Sequence, residues 1–200
     1  GFDDQSSISL MEVVEGLKER GIDMPVLLRF GDILRTQIQR LNDDFSKAIG
    51  EAEYKGSYRG VYPIKVNQQH QVIEEVTRYG RDYSYGLEAG SKPELITALT
   101  YLHENDGLLI CNGYKDAEFI DLALYANKMG IKCVIVIETP RELQLIIKRA
   151  SKLAVMPRIG IRVKLTSKAG GHWQDSAGDQ SVFGLNPAQI IDAVNELRDA

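Results

Sequence analysis

The sequence predicts an α/β fold organised around a parallel sheet. From Tyr58 onward, short apolar runs alternate with amphipathic stretches of helical length, a rhythm that implies successive βαβ units. Runs such as LLIC and VIVI are apolar at every position, which suits strands covered on both faces. With 200 residues and 44% hydrophobic composition, the chain can bury one ordinary core.

Taken in order, SLMEVVEGLKER is amphipathic and ends at Gly21, a natural helix stop. The short apolar run PVLLRF (25–30) follows. Asp32 to about Ile49 reads as a helix with Ile33, Leu34, Ile38, Leu41, Phe45 and Ile49 on one face. Residues 1–57 thus form a helical segment leading into an alternating region, residues 58–200. There YRGVYPIKV is a strand, NQQHQVIEEVTRYG a helix stopped by Gly80, and YSYGLEAG a short strand. SKPELITALTYLHEN is a helix with Ser91 and Glu94 spaced as a capping box. GLLICN is a strand, DAEFIDLALYANKMG a helix stopped by Gly130, and KCVIVIE a strand. TPRELQLIIKRASKL is a helix with Thr139 as cap, Pro140 at the first position and Glu142 completing the box. PRIGIRVKL is a strand, and NPAQIIDAVNELRDA opens a last helix with Asn186, Pro187 and Gln189 as its start signal. About five β/α units are too few for a closed eight-stranded barrel, while an open doubly wound sheet could use them, so periodicity leaves both topologies standing.

A net charge of −4 and a pI near 5.5 argue against a nucleic-acid or anionic-membrane partner, since either wants a basic face. No apolar run approaches the roughly 20 residues of a membrane span. The opening GFDDQSSISL is acidic and polar, unlike a signal peptide, and no initiator Met is present, so the expectation is a cytoplasmic fragment of a longer protein. Cys111 and Cys133 lie in separate apolar segments and read as reduced core thiols. His70, His103 and His172 share no metal-ligand spacing and read as surface residues. No G-x-G-x-x-G follows a strand and no Walker loop is present, which disfavours a nucleotide cradle. The loop SKAGGHWQDSAGDQS (167–181) is a plain connection or an active-site flap, and Trp173 favours the flap.

The strand ends carry the chemistry. Lys65, Glu88, Asn112, Glu138 and Arg162 stand late in or just after successive strands, where parallel α/β folds gather ligands. Parity puts Val61, Pro63 and Lys65 on one strand face and Gly160, Arg162 and Lys164 on another, opposite the aliphatic sets. In a barrel, Lys65 and Arg162 would both point into the mouth. Lys65 can equally be an edge-strand lysine snorkelling to water, Arg162 an ion-pair partner, and Glu94 a cap. A lysine in a partly dry cavity becomes nucleophilic and can form a Schiff base with an aldehyde such as pyridoxal phosphate. Nearby carboxylates and an arginine can then set the cofactor's protonation and hold its charge.

On these residues the chain resembles a known family. GVYPIKVNQ is similar to the lysine strand of fold-III pyridoxal-phosphate decarboxylases, and its P-I-K-V-N-Q-Q form resembles that of the biosynthetic arginine decarboxylases. YGLEAGSKPEL, ICNGYKD, RIGIRVKL, LLRFGDIL and the WQ…FGL segment resemble the same group, from about residue 25 to 190. The resemblance implies the first five or so units of an alanine-racemase-like (β/α)8 TIM barrel, the family's C-terminal β-domain being absent. It implies Lys65 as the Schiff-base lysine, Glu88 and Glu94 as acidic active-site positions, and Arg162 and Asn67 as neighbours of the cofactor and its lysine loop.

It further implies decarboxylation of L-arginine to agmatine in polyamine synthesis, a homodimer or homotetramer with shared active sites, and possible Mg2+ dependence without a visible metal site. Further groups of the family site should lie beyond residue 200, so this piece is expected to be inactive alone. Another amino-acid decarboxylase of the same fold, acting on ornithine, lysine or diaminopimelate, is the nearest rival. A non-catalytic homologue that regulates a partner is the rival of another class. In the flap, Ala177 and Val182 depart from the glycine and lysine common in the family, which leaves its role open.

Overall fold

A computed structural model of the chain describes residues 7–102, 106–164 and 183–199. The 167–181 loop with Trp173, as well as His103 and His172, lies outside the described residues.

The N-terminal part is helical. Helix α1 (Leu10–Glu19) begins where Ser9 Oγ accepts from the Glu12 amide, and Gly21, at φ +72, follows its end. It buries none of its residues. Helix α2 (Gly31–Glu51) packs on α3 (His70–Gly80), but of its expected apolar face only Ile38 is fully buried. Ile33, Leu41 and Phe45 stay exposed, with Phe45 stacked on Tyr58 at 4.0 Å between ring centres.

Five strands follow: β1 (Val61–Pro63), β2 (Gly86–Ala89), β3 (Leu108–Cys111), β4 (Lys132–Ile137) and β5 (Arg158–Ile161). Helices α3, α4 (Lys92–Leu102), α5 (Ala117–Lys128) and α6 (Pro140–Leu153) connect them in turn, and α7 (Pro187–Asp199) follows β5. The strands pair in parallel in the order β1-β2-β3-β4-β5. A doubly wound sheet reverses its strand order at a switch point, whereas a barrel adds each strand beside the last. The order therefore makes this the arc of a (β/α) barrel, which periodicity alone had left undecided.

Register assigns the faces. Pro63, Glu88, Ile110, Val134 and Arg158 are aligned across the sheet and share one side. The other side carries Leu87, Ala89, Leu109, Cys111, Cys133, Ile135 and Ile137, all buried beneath α4, α5 and α6 with Phe119, Ile120, Leu143 and Ile146. Cys111 and Cys133 lie in this layer as free thiols with Sγ atoms 3.5 Å apart. Their mutual hydrogen bond, with burial, pushes the Cys133 thiol far up, so it stays protonated.

Two expectations need correction. The first strand does not run through Lys65: it ends at Pro63, and Ile64–Val66 forms a 3-10 turn. Proline brings no N–H to the ladder, so pairing stops there and the alternation of faces stops with it. Helix α3 does end at Gly80 as expected, though not through a left-handed glycine. The chain continues through a 3-10 turn to Ser84, at φ +51, and Gly80 is instead needed for space, since a Cβ there would sit 2.4 Å from that of Tyr85. The capping box at Thr139 is not formed as expected: the Thr139 side chain caps nothing, and the Glu142 carboxylate accepts from the Glu138 amide instead. The box at Asn186 is present and reciprocal, with Asn186 Oδ1 accepting from Gln189 N at 2.9 Å and Gln189 Oε1 accepting from Asn186 N at 3.0 Å.

Candidate active site

The polar strand-end residues collect at the carboxyl end of the sheet, in two ion pairs carried by β2 and β4. In the first, Lys65 Nζ donates to Glu88 Oε1 at 3.4 Å. Ile64 anchors the turn by burying its side chain in the core, which turns the next residue, Lys65, outward. The Lys65 side chain is 64% exposed while that of Glu88 is 10% exposed. The partly dry lysine cavity expected from the sequence is therefore absent among the described residues: the carboxylate is the buried partner and the amine is open to solvent. In the second pair, Arg162 Nη1 donates to Glu138 Oε1 at 2.8 Å. Glu138 is 2% exposed, and the Arg162 guanidinium also lies over the Phe183 ring, 5.3 Å from its centre. Beyond β5, Leu185 N donates to Arg162 O, which ties the segment before α7 to the strand that presents the arginine.

The loops between these groups are held by side-chain bonds to the backbone. Glu94 Oε2 accepts from Gly90 N at 2.8 Å, while Ser91 Oγ accepts from Glu94 N at 3.4 Å. Glu94 is thus bound to its own loop, reaching back four residues as Glu142 does to Glu138. It also lines a hollow of about 420 Å³ with Ile64, Gln68, Ser91, Pro93 and Thr97, beside the lysine turn. Asn67 serves its turn as well: its Oδ1 accepts from Gln69 N at 3.1 Å and its backbone carbonyl accepts from the Tyr62 hydroxyl at 3.3 Å. Burial pushes the Tyr62 phenol up, so at neutral pH it is a donor. Asn112 contributes its amide to Ala89 O, joining the ends of β2 and β3.

The structure brings Lys65 to Glu88, and Arg162 to Glu138. It places Glu94 and Asn67 on the flanking loops, with their bonds directed to backbone. Sequence reasoning missed Lys115, whose side chain is fully buried between Gly113 O at 2.6 Å and Glu142 Oε2 at 3.4 Å. A lysine in a polar turn ahead of the Asp116 helix cap carries no burial signal of its own; only the tertiary approach of α6 encloses it.

The donor set suits an aldehyde cofactor with a charged substituent. It offers an open primary amine, a buried carboxylate bonded to it, and a guanidinium on the same end of the sheet. Among the described residues no group of three or more His, Cys, Asp or Glu could hold a metal ion.

Comparison with known proteins agrees with this chemistry. Residues 35–200 match the family model described as pyridoxal-dependent decarboxylase, pyridoxal binding domain. The biosynthetic arginine decarboxylase of Gloeobacter violaceus is 50% identical over 193 residues, which is 96% of this chain and 30% of that protein. That of Tolumonas auensis is also 50% identical, over 96% of this chain and 31% of its own length. The crystal structure of the biosynthetic arginine decarboxylase from Campylobacter jejuni superimposes with a TM-score of 0.83 at 36% identity, covering 96% of this chain and 31% of that one. Diaminopimelate decarboxylase from Helicobacter pylori shares the fold, with a TM-score of 0.69 at 20% identity over 92% of this chain and 43% of that one. The chain thus spans about 30% of the length of the curated relatives it matches.

Proposed function

Because this chain belongs to the family of pyridoxal-dependent decarboxylases, we propose that it supplies the lysine-bearing part of a pyridoxal-phosphate site that converts L-arginine to agmatine and CO2 in the full-length protein. The observation that carries the reading is the Lys65–Glu88 pair at the carboxyl end of a parallel sheet whose strands follow one another in barrel order. The choice of arginine rests on relatives up to 50% identical that bear the name biosynthetic arginine decarboxylase. That name also points to polyamine synthesis.

In this reading Lys65 would hold the cofactor through its amine, which the 3-10 turn presents at the carboxyl end of the sheet. Glu88 would steady the lysine by accepting its hydrogen bond at Nζ. Arg162, fixed by Glu138, offers its guanidinium to the cofactor's negative charge. Glu94 and Asn67 hold the loops on either side, so that the mouth keeps its shape while groups exchange. When bound, pyridoxal phosphate supplies the electron sink for the pair left behind by the departing carboxylate. The full-length protein is, on the same reading, a cytoplasmic homodimer or homotetramer with shared sites. Magnesium is assigned no ligand among the described residues.

The test is chemical trapping on the full-length protein. Borohydride reduction in the presence of pyridoxal phosphate, followed by peptide mass spectrometry, is expected to place the label on Lys65. The Lys65→Ala variant is expected to lose both the visible absorbance band and CO2 release from arginine. Label scattered over many lysines in the full-length protein would sink the assignment. Faster CO2 release from ornithine, lysine or diaminopimelate than from arginine would move the substrate to that amino acid.

A further inference from the structure

Lys115 is among the largest side chains that the fold buries completely, and it is a cation. Its ammonium sits behind the candidate site, not in it. Nζ donates to Gly113 O at 2.6 Å and to Glu142 Oε2 at 3.4 Å. The same Glu142 oxygen accepts from Glu138 N at 2.8 Å, and the Glu138 carboxylate receives Arg162. One path of polar contacts therefore runs from a buried lysine on the loop after β3, through α6, to the carboxylate–guanidinium couple at the ends of β4 and β5.

The loop that carries Lys115 is pinned from its other side too. Gly113 adopts φ +77, and a Cβ there would lie 2.4 Å from Gly90 O, so the loops after β2 and β3 touch backbone to backbone. Asn112 N reinforces this contact by donating to Ala89 O. Lys115 thus ties the loop after β3 to the start of α6, and Asn112 and Gly113 tie that same loop to the one after β2, beside the ends of the strands that carry Glu88 and Glu138.

Stability alone explains this poorly. Burying an ion pair costs desolvation that the attraction scarcely repays, and an apolar pair of similar volume is often as stable or more so. A buried charge pair fixes geometry more surely than apolar packing does, because each polar group accepts only a few partners.

We propose that Lys115 and Glu142 are positioning residues: the pair holds the backbone at Glu138 so that its carboxylate aims Arg162 at the cofactor. The inference rests on the reading of Lys65 and Arg162 given above. It assigns Lys115 no contact with cofactor or substrate.

The test uses the full-length holoenzyme and the double variant Lys115→Met/Glu142→Gln, which removes both charges at similar volume and keeps an acceptor for the Glu138 amide. The expected result is a melting temperature close to that of the parent, cofactor affinity weakened about 10–100-fold, and a shifted absorbance maximum and pH titration of the bound cofactor. The arginine KM is expected to change less than kcat. A second variant, Glu142→Gln, keeps an acceptor for the Glu138 amide and is expected to retain more affinity than Glu142→Ala. A double variant with parental cofactor affinity and spectrum would overturn the inference. So would one that fails to fold, since the pair would then be a stability element. Absence of the borohydride label from Lys65 in the parent would instead remove the underlying reading, so the two failures are distinguishable.

Discussion

Lys65 departs from the strand at the point where Pro63 ends the ladder, and that departure frees its amine. The lysine is open while its carboxylate partner is buried, so Glu88 is the enclosed member of the pair and Lys65 the solvated one. The Glu88→Gln variant of the full-length protein should keep the fold and weaken the hold on Lys65. Because the lysine is solvated, the charge contributes only about 0.5–1 kcal/mol, or two- to fivefold in the equilibrium for cofactor capture. Absorbance titration with pyridoxal phosphate measures this, and an unchanged midpoint would remove Glu88 from the lysine's support. Lys65 itself could be singled out from sequence, because a cation at the end of an apolar run is conspicuous. Its exposure could not, because that depends on a 3-10 turn which strand parity does not anticipate. Lys115 was illegible for the opposite reason: its neighbours in the chain are polar, and burial comes from α6, 27 residues away in its partner Glu142.

At the scale of elements, local chemistry was the most readable. The stop at Gly130, the start signal at Asn186 and the alternation of strands and helices all follow from a few neighbouring residues. Strand lengths and the true partners of Glu94 and Glu142 were not readable, because the acceptor side chains bypass the cap and bind the residue before it. The reciprocal box at the start of α7 permits a sharp check. Asn186→Ala should cost about 1 kcal/mol of local helix stability. Hydrogen exchange should then speed up roughly fivefold at Gln189 and the next amides of α7, with α5 and α6 unchanged. A uniform response across the three helices would mean that α7 does not open on its own.

A second check concerns the bridge between α5 and α6, where Arg149 Nε donates to Asp121 Oδ1 at 2.6 Å and Nη2 donates to Oδ2. The hydrogen bond from Arg149 holds the Asp121 carboxyl below its usual range. A depressed carboxylate stabilises above its unfolded pKa and loses that contribution as pH falls through the folded value. Exchange from α6 should therefore accelerate on acidification below about pH 4, and Asp121→Asn should flatten that response. An Asn variant with the parental pH profile would assign the acid sensitivity elsewhere.

The described strands form an open arc. Among the described residues, β1 and β5 each pair with one strand, and further pairing is limited to the stretch just beyond β5, where Val163 bridges to Leu185. On the concave side Ile110, Val134 and Val136 are half-buried, and among the described residues nothing covers them as the helical layer covers the other side. Strand order made this legible only in three dimensions, since the sequence rhythm fits a doubly wound sheet equally well. Unpaired edges beside an apolar face are a template for association between chains. The 200-residue chain produced alone should therefore self-associate at micromolar concentration and release no CO2 from arginine. Sedimentation velocity over a concentration series would show species above the monomer mass of 22.3 kDa. Supplying the remainder of the full-length protein as a separate polypeptide should compete for the same edges, lower that association and recover decarboxylation. A chain that stays monomeric at every concentration would show that its edges are already closed, and the arc would then not be the part of a barrel that needs completing.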